Sequence, residues 1–432
     1  MPTELEQTVY SLMEIPQDII EHIIKFCARD LSTLSQTCKT LYRIIYNSDQ
    51  HVWREAFLSY PFDDIRQSPV SRRLTSSISS GEDDKHRAPI LCWKGHLQRR
   101  ISAELLLRSK RDVGSIDGED LLEALQTVTD VVRLATPGPF GDSGGANPSH
   151  NLAWAQELLL SSTLFRDYDV PELDRTVDSE LDSLAYRLRQ ERARLRSYLT
   201  LSRETGESTD SVERLNEIRS ASRCFVYNLL HYQDETRWGP YDAKRNERGG
   251  WDVTVDWEHV EHIQNVVFMN LRDLPAHLGP PIPSFDMQAA RPFSHPGYKG
   301  RNPRDWAGVE GVWCRVVCFM DYRDLFAFNY TNLSSMRLQP AYFDDDFAEA
   351  TRLVEVRLTL DDETELAPED DDDPDPAYPP LAFVGTARGM LHNHRSLVHG
   401  TIRKKKDYVR WSFVSRRMTD RGGLRRVSRL VV

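Results

Sequence analysis

The segment from residue 12 to residue 57 constrains the fold more than any other part of the 432-residue chain. Pro16 fits the first turn of a helix, where a backbone N–H would make no intrahelical hydrogen bond. An apolar stripe follows it at Ile19, Ile20, Ile23 and Ile24. Because so short a stretch cannot bury this stripe by itself, the pattern predicts a helix that needs a covering surface.

Two more short helices are predicted in the same segment. Asp30 can cap the second helix, and Trp53 and Phe57 lie on the third. The second helix repeats apolar residues at spacings of three and four, at Leu31, Leu34, Cys38, Leu41 and Ile45. Chains of about 50 residues are marginally stable as independent domains, so three helices of this length are not expected to bury all these apolar residues by themselves. A partner surface is therefore implied, although an ordinary three-helix packing unit is the alternative.

This segment resembles the F-box in its Leu-x-x-Ile-Pro opening, its isoleucine run and its Asp30–Leu31 and Cys38–Lys39 pairs. The resemblance implies a three-helix domain that docks on a Skp-type adaptor, which links it to a cullin and a RING subunit. The residues that the resemblance implies for adaptor binding are Leu12, Ile15, Pro16, Ile19, Ile20, Ile23, Leu31, Leu34, Cys38, Leu41 and Trp53.

Gly, Pro and Ser punctuation predicts the domain organisation. We expect an α+β multidomain protein with a three-helix F-box, a helical middle region and a C-terminal antiparallel, β-rich, partly barrel-like domain. The predicted ranges are 1–65 for the F-box domain, 66–89 for a linker, 90–280 for the helical middle with a loop at 136–150, and 303–432 for the β-rich domain with an acidic loop at 361–377 and a basic tail.

Periodicity places the individual elements. Apolar residues three or four apart predict helices within 101–134, 151–165, 177–199 and 212–232. Segments rich in Val, Phe, Tyr and Trp predict strands at 311–328, 350–360, 381–386, 397–402 and 408–414. After Phe413 the strand pattern is expected to stop and an arginine-rich tail to follow, which would leave a barrel unclosed.

A looser resemblance extends to fungal F-box proteins. It rests on residues 238–241 with 255–260, and on 311–313 with 409–413 in the β-rich half, which is similar to a barrel that holds short degrons. Trp313, Arg410 and Trp411 are the candidate substrate-binding residues, because Trp and Arg are frequent at binding hot spots. Core packing is the alternative for either tryptophan. Arg410 should point away from Trp411, since strand side chains alternate.

Charge is unevenly distributed in a chain of formal net charge −11. Residues 361–375 hold ten acidic residues and no basic one, whereas 395–432 hold twelve Lys or Arg and two Asp. A solvated acidic loop beside a basic end is the simpler interpretation. The basic end lacks the interleaved aromatic platform of a nucleic-acid surface, so nucleic acid is not the favoured partner.

The other motifs do not predict an enzyme. Residues 141–145 (GDSGG) match the nucleophile loop of chymotrypsin-like proteases, but no histidine base in that family's context precedes them. His259 with His262, and the group His392, His394 and His399, lack the cysteines or the HExxH arrangement of zinc sites. We expect no metal and no cofactor.

Six scattered cysteines and the lack of a long apolar run predict a chain of the cytoplasm or nucleus with no membrane contact. The function expected from the resemblance is substrate recognition, without catalysis, for a cullin-type ubiquitin ligase whose protein substrate the sequence does not identify. A structural or nucleic-acid-associated protein that uses F-box-like helices for another partner is the alternative.

Overall fold

A computed structural model gives two compact units, residues 1–138 with 147–162 and residues 139–146 with 163–432. The residues that it describes are 15–68, 92–109, 115–136, 149–163, 183–200, 209–234, 236, 238–245, 251–274, 287, 302, 304–331, 340–343, 347, 349–367, 369, 378–389, 395–405, 409–418 and 424–431. This division differs from the predicted boundaries. The helices up to Ser161 belong with the F-box-like segment, and the later helices belong with the sheet.

The described part of the first unit is helical. Its helices are α1 (Gln17–Ile24), α2 (Leu31–Ser35), α3 (Lys39–Ile45), α4 (His51–Ser59), α5 (Trp93–Leu107), α6 (Gly118–Arg133) and α7 (His150–Ser161). The predicted second helix is two helices, because the backbone is extended at Cys38 (φ −154°, ψ 159°), whose Sγ accepts a hydrogen bond from Leu41 N at 3.5 Å. Asp30 occupies the N-cap of α2 but makes no side-chain capping bond, contrary to expectation.

Helix α5 packs against the F-box-like segment, and α7 packs against the residues that directly follow it. The Trp93 ring at the start of α5 meets Phe57 edge to face at 5.3 Å, and Trp154 of α7 meets Phe62 at 5.4 Å. Gln98 Nε2 donates to Ser32 Oγ at 2.9 Å. On this side of the segment, the covering surface that the apolar pattern requires comes from helices beyond the predicted linker.

A buried polar network fastens the end of the F-box-like segment to α6 and α7. Asp63 is 7% exposed and accepts hydrogen bonds from Thr136 N and His150 N, both at 2.8 Å, and from the Ser149 hydroxyl. Arg100 is 2% exposed and donates to Asn151 Oδ1 at 3.2 Å. Burial lowers the pKa of Arg100 to about 9, and the nearby charge of Asp63 opposes that shift.

We predict that residues 1–65 alone lack a cooperative thermal transition, whereas residues 1–162 melt cooperatively. The short fragment loses both the aromatic contacts with Trp93 and Trp154 and the hydrogen-bond donors of Asp63, and chains of about 60 residues are marginal even with an intact core. Circular dichroism during heating distinguishes the two fragments. A monomeric, cooperatively melting 1–65 fragment contradicts this prediction.

The second unit begins with helices and a hairpin. Its described elements before the large sheet are α8 (Leu184–Leu199), α9 (Thr209–Val226), β1 (Tyr241–Arg245), β2 (Trp251–Val255) and α10 (Trp257–Arg272). Asp256 caps α10 by accepting from His259 N at 3.2 Å. An ion pair of 2.7 Å between Arg196 Nε and Glu261 Oε1 joins α8 to α10.

The large sheet is an antiparallel meander of six strands in chain order. They are β3 (Gly311–Phe319), β4 (Ala350–Leu360), β5 (Leu381–Gly389), β6 (Arg395–Lys404), β7 (Val409–Met418) and β8 (Leu424–Val431). The predicted strand at 311–328 ends at Phe319, and helix α11 (Tyr322–Phe326) follows, because Asp321 caps it through Arg323 N at 2.8 Å.

The predicted end of the strand pattern at Phe413 is wrong. Strand β7 continues to Met418, and the arginine-rich tail forms β8, in which Leu430 pairs with Phe413 and Arg429 pairs with Val414. Arginine is compatible with a strand when it alternates with apolar residues, as it does in part of β8. The basic tail is therefore part of the sheet.

The large sheet curls into a half-barrel. Trp313 of β3 and Trp411 of β7 have three strands between them, yet their ring centroids are 5.5 Å apart. In a flat sheet this separation is roughly 19 Å, because neighbouring strands lie about 4.8 Å apart. The buried core of the concave side consists of Trp306, Val309, Val356, Leu358, Tyr378, Leu381, Phe383, Ala387, Val398 and Ile402. The expected α+β class with a partial barrel is confirmed.

Gly400 of β6 permits the packing inside this curl. A Cβ atom there would lie 2.6 Å from Phe383 Cζ and 2.3 Å from Ser412 O. Glycine thus lets the Phe383 ring cross β6 at close range.

Candidate functional site

Helix α1 separates its isoleucines onto two faces. Ile20 and Ile24 are 3% and 4% exposed and pack into the first unit, whereas Ile19 and Ile23 are 46% and 44% exposed. The helix begins after Pro16 and is amphipathic, with its isoleucines on one wide apolar side that is buried along one edge and exposed along the other. One face therefore anchors the helix and the other remains accessible.

The exposed face continues past the end of the helix. Phe26 lies three residues after Ile23, in the 3-10 turn Lys25–Cys27, and is 69% exposed. We call Pro16, Ile19, Ile23 and Phe26 the α1 stripe. The rings of His22 and Phe26 are nearly perpendicular, with centroids 5.6 Å apart, and Lys25 Nζ lies 5.2 Å from the Phe26 ring centroid. The spacing from Ile23 was the sequence signal for Phe26, which the sequence analysis missed.

The other predicted adaptor-binding residues take different positions. Ile20, Leu31, Leu41 and Trp53 are in the interior of the first unit, with Leu31 fully buried and Trp53 1% exposed. Because these four side chains are buried, they do not lie on the accessible surface of the unit. The half-buried residues are Ile15, Leu34 and Cys38. Leu12 lies outside the described residues.

Trp53 shows how the interior supports the α1 stripe. Its ring lies 6.0 Å from that of Tyr46, the residue that follows α3, and Lys94 Nζ of α5 is 5.9 Å from the Trp53 ring centroid. His51 Nε2 in α4 lies 3.4 Å from Glu21 Oε2 in α1. The helix that carries the α1 stripe is thus joined to α4, and α4 in turn to α3 and α5.

The candidate substrate-binding tryptophans lie together on the concave side of the half-barrel. Trp411 is half-buried between Trp313 at 5.5 Å and Phe383 at 5.8 Å, and it packs on the sheet core. Trp313 is 39% exposed, and its Nε1 donates to Val309 O at 2.8 Å. Core packing describes Trp411 better than a binding role, whereas Trp313 keeps an accessible edge.

Arg410 lies on the outer face of the half-barrel. It pairs across the strands with Arg403, while Trp411 pairs with Ile402 in the core, so the predicted alternation is present. Arg410 forms an ion pair with Glu369, and Arg403 Nε and Lys405 Nζ each lie 3.2 Å from an oxygen of the same carboxylate. We call these four residues the Glu369 cluster.

Burial pushes the pKa of the Glu369 carboxyl upward, but the Lys405 hydrogen bond and the three positive charges outweigh it. The pKa of Glu369 therefore lies below its ordinary value, and the group is a carboxylate at neutral pH.

The histidines considered as metal ligands have other partners. His259 Nε2 hydrogen bonds with the Tyr232 hydroxyl at 3.1 Å, and His262 Nδ1 with Ser222 Oγ at 3.0 Å. Among the residues that the structure describes, no group of three or more His, Cys, Asp or Glu is placed to hold a metal ion. His392, His394 and the 141–145 motif lie outside the described residues. Within the described part of the chain, none of the helices is both long and apolar enough to span a bilayer.

Comparison with known protein families identifies the N-terminal helices. Residues 12–59 match the family described as F-box-like, and this range contains the α1 stripe and helices α1 to α4. Among curated proteins and among solved structures, nothing matches the chain. The match identifies residues 12–59 as an F-box-like domain.

Proposed function

We propose that the chain is the non-catalytic substrate-recognition subunit of a cullin–RING ubiquitin ligase. The F-box-like domain binds a Skp-type adaptor, and the adaptor links it to a cullin and a RING subunit. The observation that carries the proposal is the α1 stripe, whose apolar side chains are exposed on a helix that is anchored from its other face.

The α1 stripe has the character of an interface anchor. Ile19, Ile23 and Phe26 are large apolar side chains at helical spacing on one surface. Complete burial of such a side chain contributes about 1.5–3 kcal/mol, and apolar anchors at the centre of an interface carry most of its binding energy. A partner that covers these three residues would therefore gain much of its affinity from them.

The second unit supplies the other half of the proposal. It is a separate compact unit with its own half-barrel core, distinct from the unit that carries the F-box-like domain. A captured substrate is held close to the ligase machinery, and effective concentration raises the rate of ubiquitin transfer. No residue of this chain has a catalytic role in this mechanism, which operates in the cytoplasm or nucleus. The resemblance to fungal F-box proteins remains a prediction.

Ile23→Asp should weaken adaptor binding by about 30-fold or more, which corresponds to 2 kcal/mol. The carboxylate would be buried against an apolar adaptor surface without a partner. The measurement is the affinity of the full chain for a purified Skp-type adaptor by calorimetry. Leu105→Asp is the matched control, because Leu105 is 55% exposed on α5 of the same unit and lies outside the α1 stripe.

Equal affinity of Ile23→Asp and Leu105→Asp for the adaptor would refute the proposed role of the α1 stripe. A full chain that binds the adaptor while no cullin or RING subunit joins the complex would instead support the structural alternative, in which the F-box-like helices serve another assembly.

A further inference from the structure

The Glu369 cluster brings three cations to one carboxylate. Arg403 Nε approaches Oε1 of Glu369 at 3.2 Å, and Lys405 Nζ approaches Oε2 at 3.2 Å. Arg410 Nη2 also contacts Oε2, so both carboxylate oxygens are engaged. The three cationic side chains are at most 13% exposed, whereas that of Glu369 is 43% exposed. The positive groups are thus fixed in the protein, and the anion sits at the solvent side.

The two halves of the cluster differ in their support. Arg403 belongs to β6 and Arg410 to β7, and the two residues are paired in register. Lys405 directly follows β6. Glu369 and the described residues 361–367 lie between β4 and β5 and belong to no helix or strand. Sites built on paired strands hold their geometry, whereas a loop can be displaced at small cost.

We propose that Arg403, Lys405 and Arg410 form a binding site for an acidic peptide segment of a partner protein, and that Glu369 occupies this site until such a segment displaces it. The chemistry recognised is a carboxylate or phosphate group, because fixed guanidinium and ammonium groups bind these oxygens through charge-assisted hydrogen bonds. The inference rests on the proposed function, since it names the class of substrate that the second unit would capture.

The geometry favours a peptide over a nucleic acid. Within the described part of the chain, the three cations share the Glu369 carboxylate, an arrangement that also suits one acidic side chain of a partner. Nucleic-acid surfaces distribute their charges along a backbone and add aromatic stacking platforms. The aromatic ring next to the cluster is that of Tyr378, which lies 5.8 Å from Lys404 Nζ and is buried in the sheet core. It therefore does not provide an exposed stacking platform.

The test uses the full chain and a fluorescein-labelled peptide of alternating Asp and Gly, with fluorescence anisotropy as the readout. The same peptide with Asn in place of Asp, a phosphoserine version, free phosphate and a single-stranded oligonucleotide are the comparison ligands. We expect the two anionic peptides to bind, the Asn peptide not to bind, and the affinity to fall with added salt.

Glu369→Gln should bind the acidic peptide about 5-fold or more tightly than the native chain, because the internal competitor for the site is weakened. Glu365→Gln is the matched control, since Glu365 is an exposed acidic residue of the same segment that takes no part in the cluster. Arg410→Ala should bind the peptide more weakly than the native chain. Thermal melting of each variant distinguishes loss of the binding site from loss of the folded structure.

Three outcomes would overturn the proposal. They are equal binding of the Asp and Asn peptides to the native chain, equal affinities of Glu369→Gln and Glu365→Gln, and preferential binding of the oligonucleotide. Binding of free phosphate as tight as that of the peptides also counts against it, because the site would then be a simple anion site. None of these measurements involves the adaptor. A negative result would therefore not affect the proposed role of the α1 stripe, and loss of adaptor binding would not affect the proposed role of the Glu369 cluster.

Discussion

Replacing Arg223 by alanine is expected to lower the free energy of unfolding of the second unit by about 3–5 kcal/mol. Arg223 Nε of α9 donates to Glu349 Oε2 at 2.9 Å, and the side chains of the two residues are 5% and 1% exposed. Removal of the guanidinium leaves a carboxylate buried without its counter-charge. The remaining donors to Glu349 are Asn270 Nδ2, at 2.8 Å, and the Tyr227 hydroxyl.

This ion pair matters because it joins three parts of the unit. Glu349 directly precedes β4, Arg223 lies on α9, and Asn270 lies on α10. Burial and the neighbouring Glu349 charge raise the pKa of the Tyr227 phenol far above its ordinary value, so that the phenol remains a hydrogen-bond donor. Loss of Arg223 should therefore loosen the helices against the sheet, as well as remove one contact.

Hydrogen exchange followed by mass spectrometry reports the two units separately and suits a chain that is not expected to unfold in one step. Arg219→Ala is the matched control on the same helix. Its ion pair with Asp273, at 3.1 Å, is more exposed at 28% and 55%, and such pairs contribute about 1 kcal/mol or less. If protection of the sheet from hydrogen exchange falls equally in both variants, the buried ion pair does not contribute the stability expected of it.

Asp63→Ala is expected to destabilise the first unit by about 3 kcal/mol or more. The substitution leaves three donors without their acceptor, namely Thr136 N and His150 N, which are partly buried, and the buried Ser149 hydroxyl. It also removes the negative charge that opposes the effect of burial on Arg100. Exchange should rise in α6 and α7, and adaptor binding should weaken although Asp63 lies outside the α1 stripe.

Asp64→Ala provides the control at the adjacent position. Asp64 pairs with Arg66 at 2.6 Å, but the Arg66 side chain is 53% exposed, so this pair is at the surface. The Arg66 hydrogen bond lowers the pKa of Asp64 against the opposing effect of burial. The control should cost about 1 kcal/mol or less. Similar losses for Asp63→Ala and Asp64→Ala would show that the buried network contributes little.

The sequence predicted the F-box-like helices well but not which of their residues are accessible. Ile19 and Ile20 are adjacent, and both fit the helical apolar pattern, yet only Ile20 is buried. The difference depends on packing within the unit, and helix α5, which helps to build that interior, starts at Trp93, far along the chain from α1. Periodicity identifies apolar faces, whereas burial depends on contacts that are distant in sequence.

The arginine-rich end shows the opposite error. Its composition indicated a tail, but pairing with β7 makes it a strand, because backbone hydrogen bonds and partial alternation suffice. The Glu369 cluster was anticipated only as a basic stretch near an acidic loop. The pairing of Arg403 with Arg410 depends on strand register, which charge counting does not reveal.

The packing of Trp93 on Phe57, and of Trp154 on Phe62 just after the F-box-like segment, has a consequence for genetics. A random-mutagenesis screen for loss of adaptor recruitment would return two classes of allele. Substitutions in the α1 stripe would abolish recruitment at normal protein abundance, whereas substitutions at Trp93, Asp63 or Trp154 would act through unfolding and reduced abundance. The second class should be temperature-sensitive and should spread across α5 to α7, so a map of alleles alone would place the docking surface far from where it lies.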